Sequence, residues 1–273
     1  MLKFSVLMSL YNKEDPAYLR ASLESLDNQT LLPTEVVIVF DGPINSELES
    51  VIDEFKPCLN VIIFKLPENV GLGNALNCGL KHCKYDLVAR MDTDDICLPN
   101  RFEQQILEFE NEPNLVLLGS SILEFSGSVN NIIGERVVPI TSEDIGEFSK
   151  RKNPFNHMTV VFRKNVITNV GGYIHHPLME DYNLWLRVIS AGYLTRNIAQ
   201  PLVLARVGRG MLKRRSGAKY IKSEYQLALL KHKLKLQNII SATMIFLMRS
   251  LPRMLPLAVL SAIYKLNRKI KNS

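Results

Sequence analysis

Short apolar runs alternate with amphipathic segments over the first 91 residues, and this alternation constrains the fold more than any other feature of the chain. Residues 36–40 form a continuous, mostly β-branched run, which is typical of a strand buried on both faces. Comparable runs lie at 4–9, 61–66 and 86–91, and segments with helical character at 17–26, 47–55 and 73–83 separate them. This order predicts a doubly wound α/β fold, with a parallel sheet and helices on both of its faces.

The second half of the chain has a different rhythm. A predicted helix at 100–111 precedes two strand-like runs, 115–125 and 131–138, which we expect to pair antiparallel across a Ser-Gly-Ser turn. A polar helix at 141–150, a strand at 158–162 and a helix that begins at residue 180 follow. We predict one α/β domain over residues 1–206, whose mixed second half builds an acceptor site, and a helical tail over residues 207–273.

Composition places the chain among ordinary globular proteins. Of its 273 residues, 47% are apolar and 22% are charged, which allows a large core. The four cysteines show neither the paired spacing of a metal site nor a disulfide framework, which favours a reducing cytoplasm. The N-terminal apolar run has no charged leader and no small-residue cleavage site, so we interpret it as a first strand and not as a signal peptide.

Charge is distributed very unevenly. Residues 201–273 carry sixteen Lys and Arg against one acid, Glu224, for a net charge of +15, whereas residues 1–200 carry a net charge of −9. A strongly basic tail predicts an anionic partner, either a membrane or a nucleic acid. The tail contains a basic helical segment at 211–235 and two apolar runs, at 239–248 and 255–264, each shorter than the roughly 20 residues of a spanning helix. We therefore expect interfacial attachment to anionic lipid, with a helical subdomain packed on the core as the alternative.

Three carboxylates follow the predicted strand at 86–91. Asp92, Asp94 and Asp95 stand at its carboxyl end, which is the edge where open α/β sheets bind ligands. Carboxylate oxygens are ligands of Mg2+ and Mn2+, so the group could hold a metal diphosphate, to which Arg90 would add positive charge. A polar loop that caps the next helix, with Arg90 paired to a neighbouring carboxylate, is the simpler alternative.

Three further positions are candidates for the same site. Asp41 ends the second strand and could accept a hydrogen bond from a base or ribose, although it could equally serve the Asp-Gly-Pro turn. Gly71 and Gly73 lie at a strand-to-helix junction, where backbone N–H groups can face an anion. Glu180 and Asp181 begin a helix, where carboxylates often act as caps. A carboxylate beside an apolar wall could also serve as a general base.

Five segments together resemble the inverting family 2 glycosyltransferases, which have the GT-A fold. They are Ser9-Leu10-Tyr11-Asn12, Phe40-Asp41-Gly42, Asn69-Val70-Gly71-Leu72-Gly73, Arg90-Met91-Asp92-Thr93-Asp94-Asp95, and Glu180-Asp181-Tyr182 with Trp185 and Arg187. Each is weak alone, but all five have the family's order and spacing over about residues 3–206. The closest resemblance is to bacterial members that build O-antigen, capsule or exopolysaccharide of the amylovoran type on a lipid carrier.

The resemblance implies a donor site for a UDP-sugar. Tyr11 and Asp41 would hold the uracil, and Asn69 and Gly71 would border the nucleotide. The acidic group would bind the donor through ribose and a Mn2+ or Mg2+ ion, with a role for each member: Asp92 and Asp94 as metal ligands, Asp94 the more direct of the two, and Asp95 close to the donor sugar.

On the acceptor side the resemblance implies that Asp181 is the general base, with Glu180 as the alternative. The base would deprotonate a hydroxyl that attacks the anomeric carbon opposite UDP, and one displacement would give a β-linked product. The expected reaction moves glucose, galactose or N-acetylgalactosamine to an N-acetylhexosamine on polyprenyl diphosphate, with β-1,3 as one candidate linkage. Such an acceptor would place the protein at the cytoplasmic face of the inner membrane, as a peripheral or monotopic protein.

Two other functions compete with this interpretation. A nucleotidyltransferase that makes nucleotide sugars also sets carboxylates on a doubly wound sheet, but it predicts a Gly-rich, basic loop after the first strand, where this chain has residues 9–12. A nucleic-acid-binding protein would use the basic tail, but it predicts aromatic residues interleaved with the cations. Tyr220 and Tyr225 supply few of these, so we expect no nucleic-acid partner.

Overall fold

The computed structural model describes residues 1–208 and 217–254. Its first part contains β1 (Phe4–Leu10), α1 (Pro16–Asp27), β2 (Glu35–Phe40), α2 (Ser46–Phe55), β3 (Val61–Lys65), α3 (Leu72–His82) and β4 (Leu87–Arg90). The four strands are parallel, in the order β3-β2-β1-β4. The predicted doubly wound half is therefore confirmed.

The second part is mixed, as the sequence predicted. It contains β5 (Ile96–Cys97), α4 (Arg101–Asn111), β6 (Leu115–Ser126), β7 (Ser128–Arg136), α5 (Ser142–Ser149), β8 (Val161–Arg163), α6 (Lys164–Asn169), α7 (Glu180–Ser190) and β9 (Leu194–Arg206). β8 pairs antiparallel with β4 and extends the sheet through β6 and β9 to β5. β7 pairs antiparallel with β6 across the predicted turn. One sheet of nine strands thus joins the two halves.

Two segments differ from their predictions. β9 was not expected, yet its 13 residues run parallel to β6 with several register shifts. The predicted strand at 158–162 begins instead as a 3-10 turn, His157–Thr159, and only β8 is extended. Thr159 closes this turn because both its N–H and its hydroxyl donate to the carbonyl of Asn156, each at 2.9 Å.

The core lies on both faces of the sheet. Val36 and Ile38 belong to a buried cluster with α1, α2 and α4, whereas Val37 and Val39 belong to a second cluster with α3 and α7. Alternate residues of β2 are thus buried on opposite faces, as a continuous apolar strand requires. The helices on both faces fix the sheet edge at which the carboxylates lie.

The described part of the tail contains two helices, α8 (Ala218–Lys233) and α9 (Ile239–Ser250), and a 3-10 turn, Leu251–Met254. The beginning of the predicted helix at 211–235 and the apolar run at 255–264 lie outside the described residues. α8 packs on α7 through Tyr220 and Leu227, which contact the cluster of Met179, Tyr182 and Leu186. Among the residues described, no helix has both the length and the apolar character needed to cross a membrane. The division of the chain at residue 206 stays a prediction.

Candidate active site

The three carboxylates that follow β4 gather at one point. Oxygen atoms of Asp92, Asp94 and Asp95 all lie within 4.8 Å of one another. β4 is buried along its whole length between β1 and β8, so its carboxyl end is fixed in place. Asp95 Oδ2 is buried and has no hydrogen-bond partner in the described part of the chain. A compact set of hard oxygen donors with an unsatisfied member fits a Mg2+ or Mn2+ ion.

Burial and mutual repulsion favour the protonated forms of Asp94 and Asp95. Burial, followed by the charges of Asp92 and Glu14, raises the pKa of Asp94 to about 6. Burial, followed by the charges of Asp92 and Asp94, raises the pKa of Asp95 well above its usual range. Since a divalent cation favours the ionised carboxylates, its binding would be coupled to proton release.

Arg206, at the end of β9 in the second half of the chain, contacts Asp94 and Asp95. Its backbone N–H donates to Asp95 Oδ1 at 2.7 Å, and its Nε donates to the carbonyl of Asp94 at 3.0 Å. The guanidinium lies 3.7 Å from the ring centroid of Tyr18 and 4.6 Å from that of Phe125. The sequence assigned Arg206 no role beyond a domain boundary, because β9 itself was not predicted.

At the carboxyl end of β2, Asp41 lies against the loop that the sequence predicted to border a nucleotide. Its carboxylate accepts hydrogen bonds from the N–H groups of Val70, at 2.7 Å, and Gly71, at 3.1 Å. Asn69 Nδ2 donates to the carbonyl of Asp41 at 3.1 Å. Asp41 therefore orders this loop, and its contact with a uracil stays a prediction. Tyr11 follows β1, which lies between β2 and β4, and 44% of its surface is exposed to solvent.

Glycine is required where this loop meets the strand ends. A Cβ atom at Gly42 would lie 2.8 Å from the backbone nitrogen of Asn69, closer than real side chains approach. Gly71, directly before α3, has a φ of +84°, which other residues rarely adopt. Close backbone approach thus explains Gly42, and a left-handed turn explains Gly71.

Glu180 and Asp181 open α7 on the other side of the site. Asp181 Oδ2 accepts a hydrogen bond of 2.6 Å from Asn153 Nδ2, a residue to which the sequence assigned no role. Glu180 instead faces the beginning of α3, where a Cβ atom at Gly73 would lie 3.3 Å from its Cγ. Burial raises the pKa of both carboxyl groups, which makes each a stronger base.

Arg90 supplies a buried positive charge beside Asp92. Its side chain is 1% exposed and pairs with Asp92, which is the simpler of the two roles expected from the sequence. Its positive charge also opposes the burial-driven rise in the pKa of Asp94, Asp95 and Asp181. The charge of Arg90 thus influences carboxylates both after β4 and at the beginning of α7.

His157 lies beside this centre in a buried setting. Its Nε2 is 2.8 Å from the hydroxyl of Tyr173, and its ring packs against Trp185. Burial, reinforced by the charge of Arg90, lowers the pKa of His157 well below its usual value. These contacts support a structural role for His157 as a neutral ring.

Comparisons with known proteins agree with the geometry. The family model "Glycosyl transferase family 2" matches residues 5–173. The chain is 47% identical over 266 residues to the amylovoran biosynthesis glycosyltransferase AmsE of Erwinia amylovora, covering 97% of this chain and 99% of that protein. It is 45% identical over 225 residues to the UDP-Gal:alpha-D-GlcNAc-diphosphoundecaprenol beta-1,3-galactosyltransferase of Escherichia coli, covering 81% and 80% of the two chains.

The fold has a counterpart among solved structures. The crystal structure of S. aureus TarS 1-349 in complex with UDP-GlcNAc matches with a TM-score of 0.68 at 19% identity, over 92% of this chain and 72% of that one. This likeness confirms the predicted GT-A fold. Together with the family match and the two relatives, it confirms the resemblance first drawn from five short segments: the chain belongs to glycosyltransferase family 2.

Proposed function

We propose that this protein is an inverting hexosyltransferase of O-antigen or other surface polysaccharide synthesis. It moves glucose, galactose or N-acetylgalactosamine from a UDP-sugar to an N-acetylhexosamine carried on a lipid diphosphate, forming a β-linkage. The observation that carries the proposal is the cluster of Asp92, Asp94 and Asp95 at the end of β4, beside the buried Arg90. The name of the Escherichia coli relative supports UDP-galactose, a diphosphate-linked acceptor and a β-1,3 linkage.

The donor half of the reaction uses the ends of the parallel strands. Tyr11 and Asp41 hold the uracil, with Asn69 and Gly71 at the nucleotide's border. Asp92 and Asp94 hold the cation, and Asp95 lies beside the donor sugar. A bound Mn2+ or Mg2+ would offset the negative charge that develops on the departing UDP. Arg90 is buried beneath this group, where its charge partly offsets the repulsion among the carboxylates.

The acceptor half of the reaction uses Asp181 as the general base. Its carboxylate takes the proton of the attacking hydroxyl, and the raised pKa suits that task. Asn153 Nδ2 donates to Oδ2 of this carboxylate and so orients it. The hydroxyl attacks the anomeric carbon opposite UDP, so an α-linked donor gives a β-linked product. Glu180 is the alternative base, with its side chain against Gly73.

The tail attaches the protein to the cytoplasmic face of the inner membrane. α9 exposes an apolar stripe at helical spacing, formed by Ile240, Met244, Leu247, Met248 and Leu251 at its end. The abundant cations of the tail suit anionic lipid headgroups. Attachment at that surface brings the active site to an acceptor whose lipid lies in the bilayer.

The test is a transfer assay with a panel of UDP-sugars, Mn2+ and a synthetic N-acetylhexosamine-diphosphate-lipid acceptor. Release of UDP and product mass are followed with and without a chelator. We expect metal-dependent transfer from one donor. A folded protein that binds UDP but transfers no sugar to this acceptor would contradict the proposal.

Two further assays separate this function from its rivals. A nucleotidyltransferase would release inorganic diphosphate when given a sugar phosphate and a nucleoside triphosphate, and membership of family 2 argues against that activity. A nucleic-acid-binding protein would show salt-sensitive binding to single strands and not to anionic vesicles.

A further inference from the structure

Residues 149–153, which we call the anchored segment, join α5 to the turn before β8. Four of its carbonyls accept hydrogen bonds from side chains of other elements. The donors and acceptors are Tyr182 Oη to Ser149 at 2.6 Å, Lys231 Nζ to Lys150 at 2.9 Å, Arg249 Nη1 to Arg151 at 2.6 Å and Arg136 Nη2 to Asn153 at 3.3 Å. Elements α7, α8, α9 and β7 thus all hold the backbone of one short segment.

The fixed backbone presents two cations to solvent. Arg151 and Lys152 are both exposed, and neither side chain forms an ion pair with a carboxylate within residues 1–208 and 217–254. Glu147 pairs with Lys150, and Asp144, which lines one surface cavity with Glu147 and Arg151, accepts a hydrogen bond from Thr141. The segment therefore carries two exposed positive charges that form no ion pair among the residues described.

The position of these cations relates them to the proposed base. Asn153, the last residue of the anchored segment, donates to Asp181 Oδ2 at 2.6 Å. Lys152 and Arg151 precede it along a backbone whose Cα atoms are about 3.8 Å apart. In an acceptor sugar that offers a hydroxyl to Asp181, one sugar ring separates that hydroxyl from the diphosphate at C1. Long cationic side chains one and two residues from Asn153 can span that separation.

We propose that Arg151 and Lys152 bind the diphosphate of the lipid-linked acceptor, while the adjacent Asn153 holds the base that activates its sugar. This assignment rests on the proposed function and names the acceptor subsite within it. Guanidinium and ammonium groups on a fixed backbone form charge-assisted hydrogen bonds with phosphate oxygens at little cost in ordering.

The tail fits the same placement of the acceptor. Arg249 lies near the end of α9 and bonds to Arg151, so this end of α9 is fixed beside the anchored segment. The same helix exposes Met244, Leu247 and Met248. An acceptor with its diphosphate on the anchored segment thus has an apolar surface next to it on which its lipid can lie.

The test compares two acceptors that differ only in charge. Both are N-acetylglucosamine with the same short, water-soluble alkyl chain, joined through a diphosphate in one and through an uncharged glycosidic bond in the other. In R151Q/K152Q we expect the KM for the diphosphate acceptor to rise at least about tenfold, as loss of a charge-assisted hydrogen bond produces. The KM values for the uncharged acceptor and for the UDP-sugar should be unchanged. K3Q/K81Q, which removes two exposed cations outside both the tail and the candidate site, is the matched control.

Three outcomes would overturn the assignment. If the KM rises equally for both acceptors, the double variant has disturbed Asp181 and not a diphosphate contact. If the KM for the diphosphate acceptor is unchanged while binding to phosphatidylglycerol vesicles falls, the cations serve lipid headgroups. If the unmodified protein transfers sugar to neither acceptor, the proposed function itself is wrong, and the assignment of Arg151 and Lys152 falls with it. This result is distinguishable from the first two because it is seen without any substitution.

Discussion

The proposed donor edge, around Asp41 and Asp92, and the proposed acceptor side, around Asp181 and Asn153, are built in different ways. At the donor edge, the ends of parallel strands bring Asp41 to the backbone N–H groups of Val70 and Gly71, inside consecutive strand-helix units. On the acceptor side, side chains from distant parts of the chain do the positioning, as when Arg249 reaches a carbonyl 98 residues away. The donor edge should therefore tolerate changes in the tail that the acceptor side does not.

The largest effect should come from the proposed base. Asp181→Asn removes the group that takes the proton while keeping the hydrogen bond from Asn153 possible, so turnover should fall about 10²–10⁴-fold. Binding of the UDP-sugar, measured by calorimetry, should persist because the donor edge is unchanged. Glu180→Gln is the matched comparison, and if that variant loses turnover while Asp181→Asn keeps it, Glu180 is the base.

A comparable loss, in stability, should follow from breaking the ion pair between α8 and α9. Glu224 is 2% exposed and is held by three hydrogen bonds from Arg249, so Arg249→Gln leaves a buried carboxylate without its partner. We expect the free energy of unfolding of the tail to fall by about 3–5 kcal/mol. Denaturant unfolding and limited proteolysis measure this loss. UDP binding should survive and transfer to the acceptor should fall. E224Q/R249Q should regain much of the stability, and equal loss in both variants would rule out the unpaired charge as the cause.

Removing the candidate metal ligand should act on the donor edge alone. Asp94→Asn should weaken metal affinity by at least about 10–100-fold, since even loss of an outer-shell partner has that effect. Mn2+ titration with UDP-sugar binding as the readout measures this loss. Asp53→Asn, an exposed acid on α2, is the control. Unchanged metal dependence in Asp94→Asn would assign the ion to other ligands.

Asn153→Ala should change the acceptor side with little effect on the donor. The Asn153 N–H lowers the pKa of Asp181, so without it that pKa, already raised by burial, should rise further. A base with a higher pKa is protonated over more of the acidic range, which moves the acidic limb of the kcat profile to higher pH. We also expect kcat to fall about tenfold at pH 7 with the donor KM unchanged. The exposed Asn130→Ala variant should match the unmodified protein, and a pH profile that stays in place would leave Asn153 a packing role only.

The smallest effect should be a pH dependence of stability at the junction with the tail. Burial, followed by the charge of Arg249, lowers the pKa of Lys231 to about 7 from 10.5. Between these values the unfolded chain binds more protons than the folded one, so the free energy of unfolding should rise with pH, by at most ~1.4 kcal/mol per unit. Lys231→Met should remove this slope in denaturant unfolding, whereas the exposed Lys233→Met should keep it. The same slope in all three proteins would show that Lys231 does not titrate in this range.

Sequence patterns predicted the strands that carry the proposed donor site because the determinants of those strands are local. The continuous apolar runs identified β1, β2, β3 and β4, and the candidate residues of the donor site lie at or shortly after the carboxyl ends of these strands. Parallel strands bring such positions to one edge, so Asp41 and Asp92 could be assigned to the same site without any knowledge of long-range contacts.

The acceptor side could be predicted only in part because its contacts join distant segments. β9 contains Asn197, Gln200 and Pro201, which disfavour a strand, and only pairing with β6 along its length makes it extended. Its terminal Arg206 was missed with it. Asn153 lies in a stretch without periodicity, and its bond to Asp181 follows from the fold of everything between them.

The anchored segment also has a consequence for the order in which the protein becomes competent. A ribosome makes the donor edge and Asp181 well before Lys231 and Arg249, the residues that hold the carbonyls of Lys150 and Arg151. The first half of a nascent chain can thus fold while the anchored segment still lacks the hydrogen bonds from Lys231 and Arg249. Sugar transfer would begin only once α8 and α9 have docked on the anchored segment, so activity would appear at the end of synthesis.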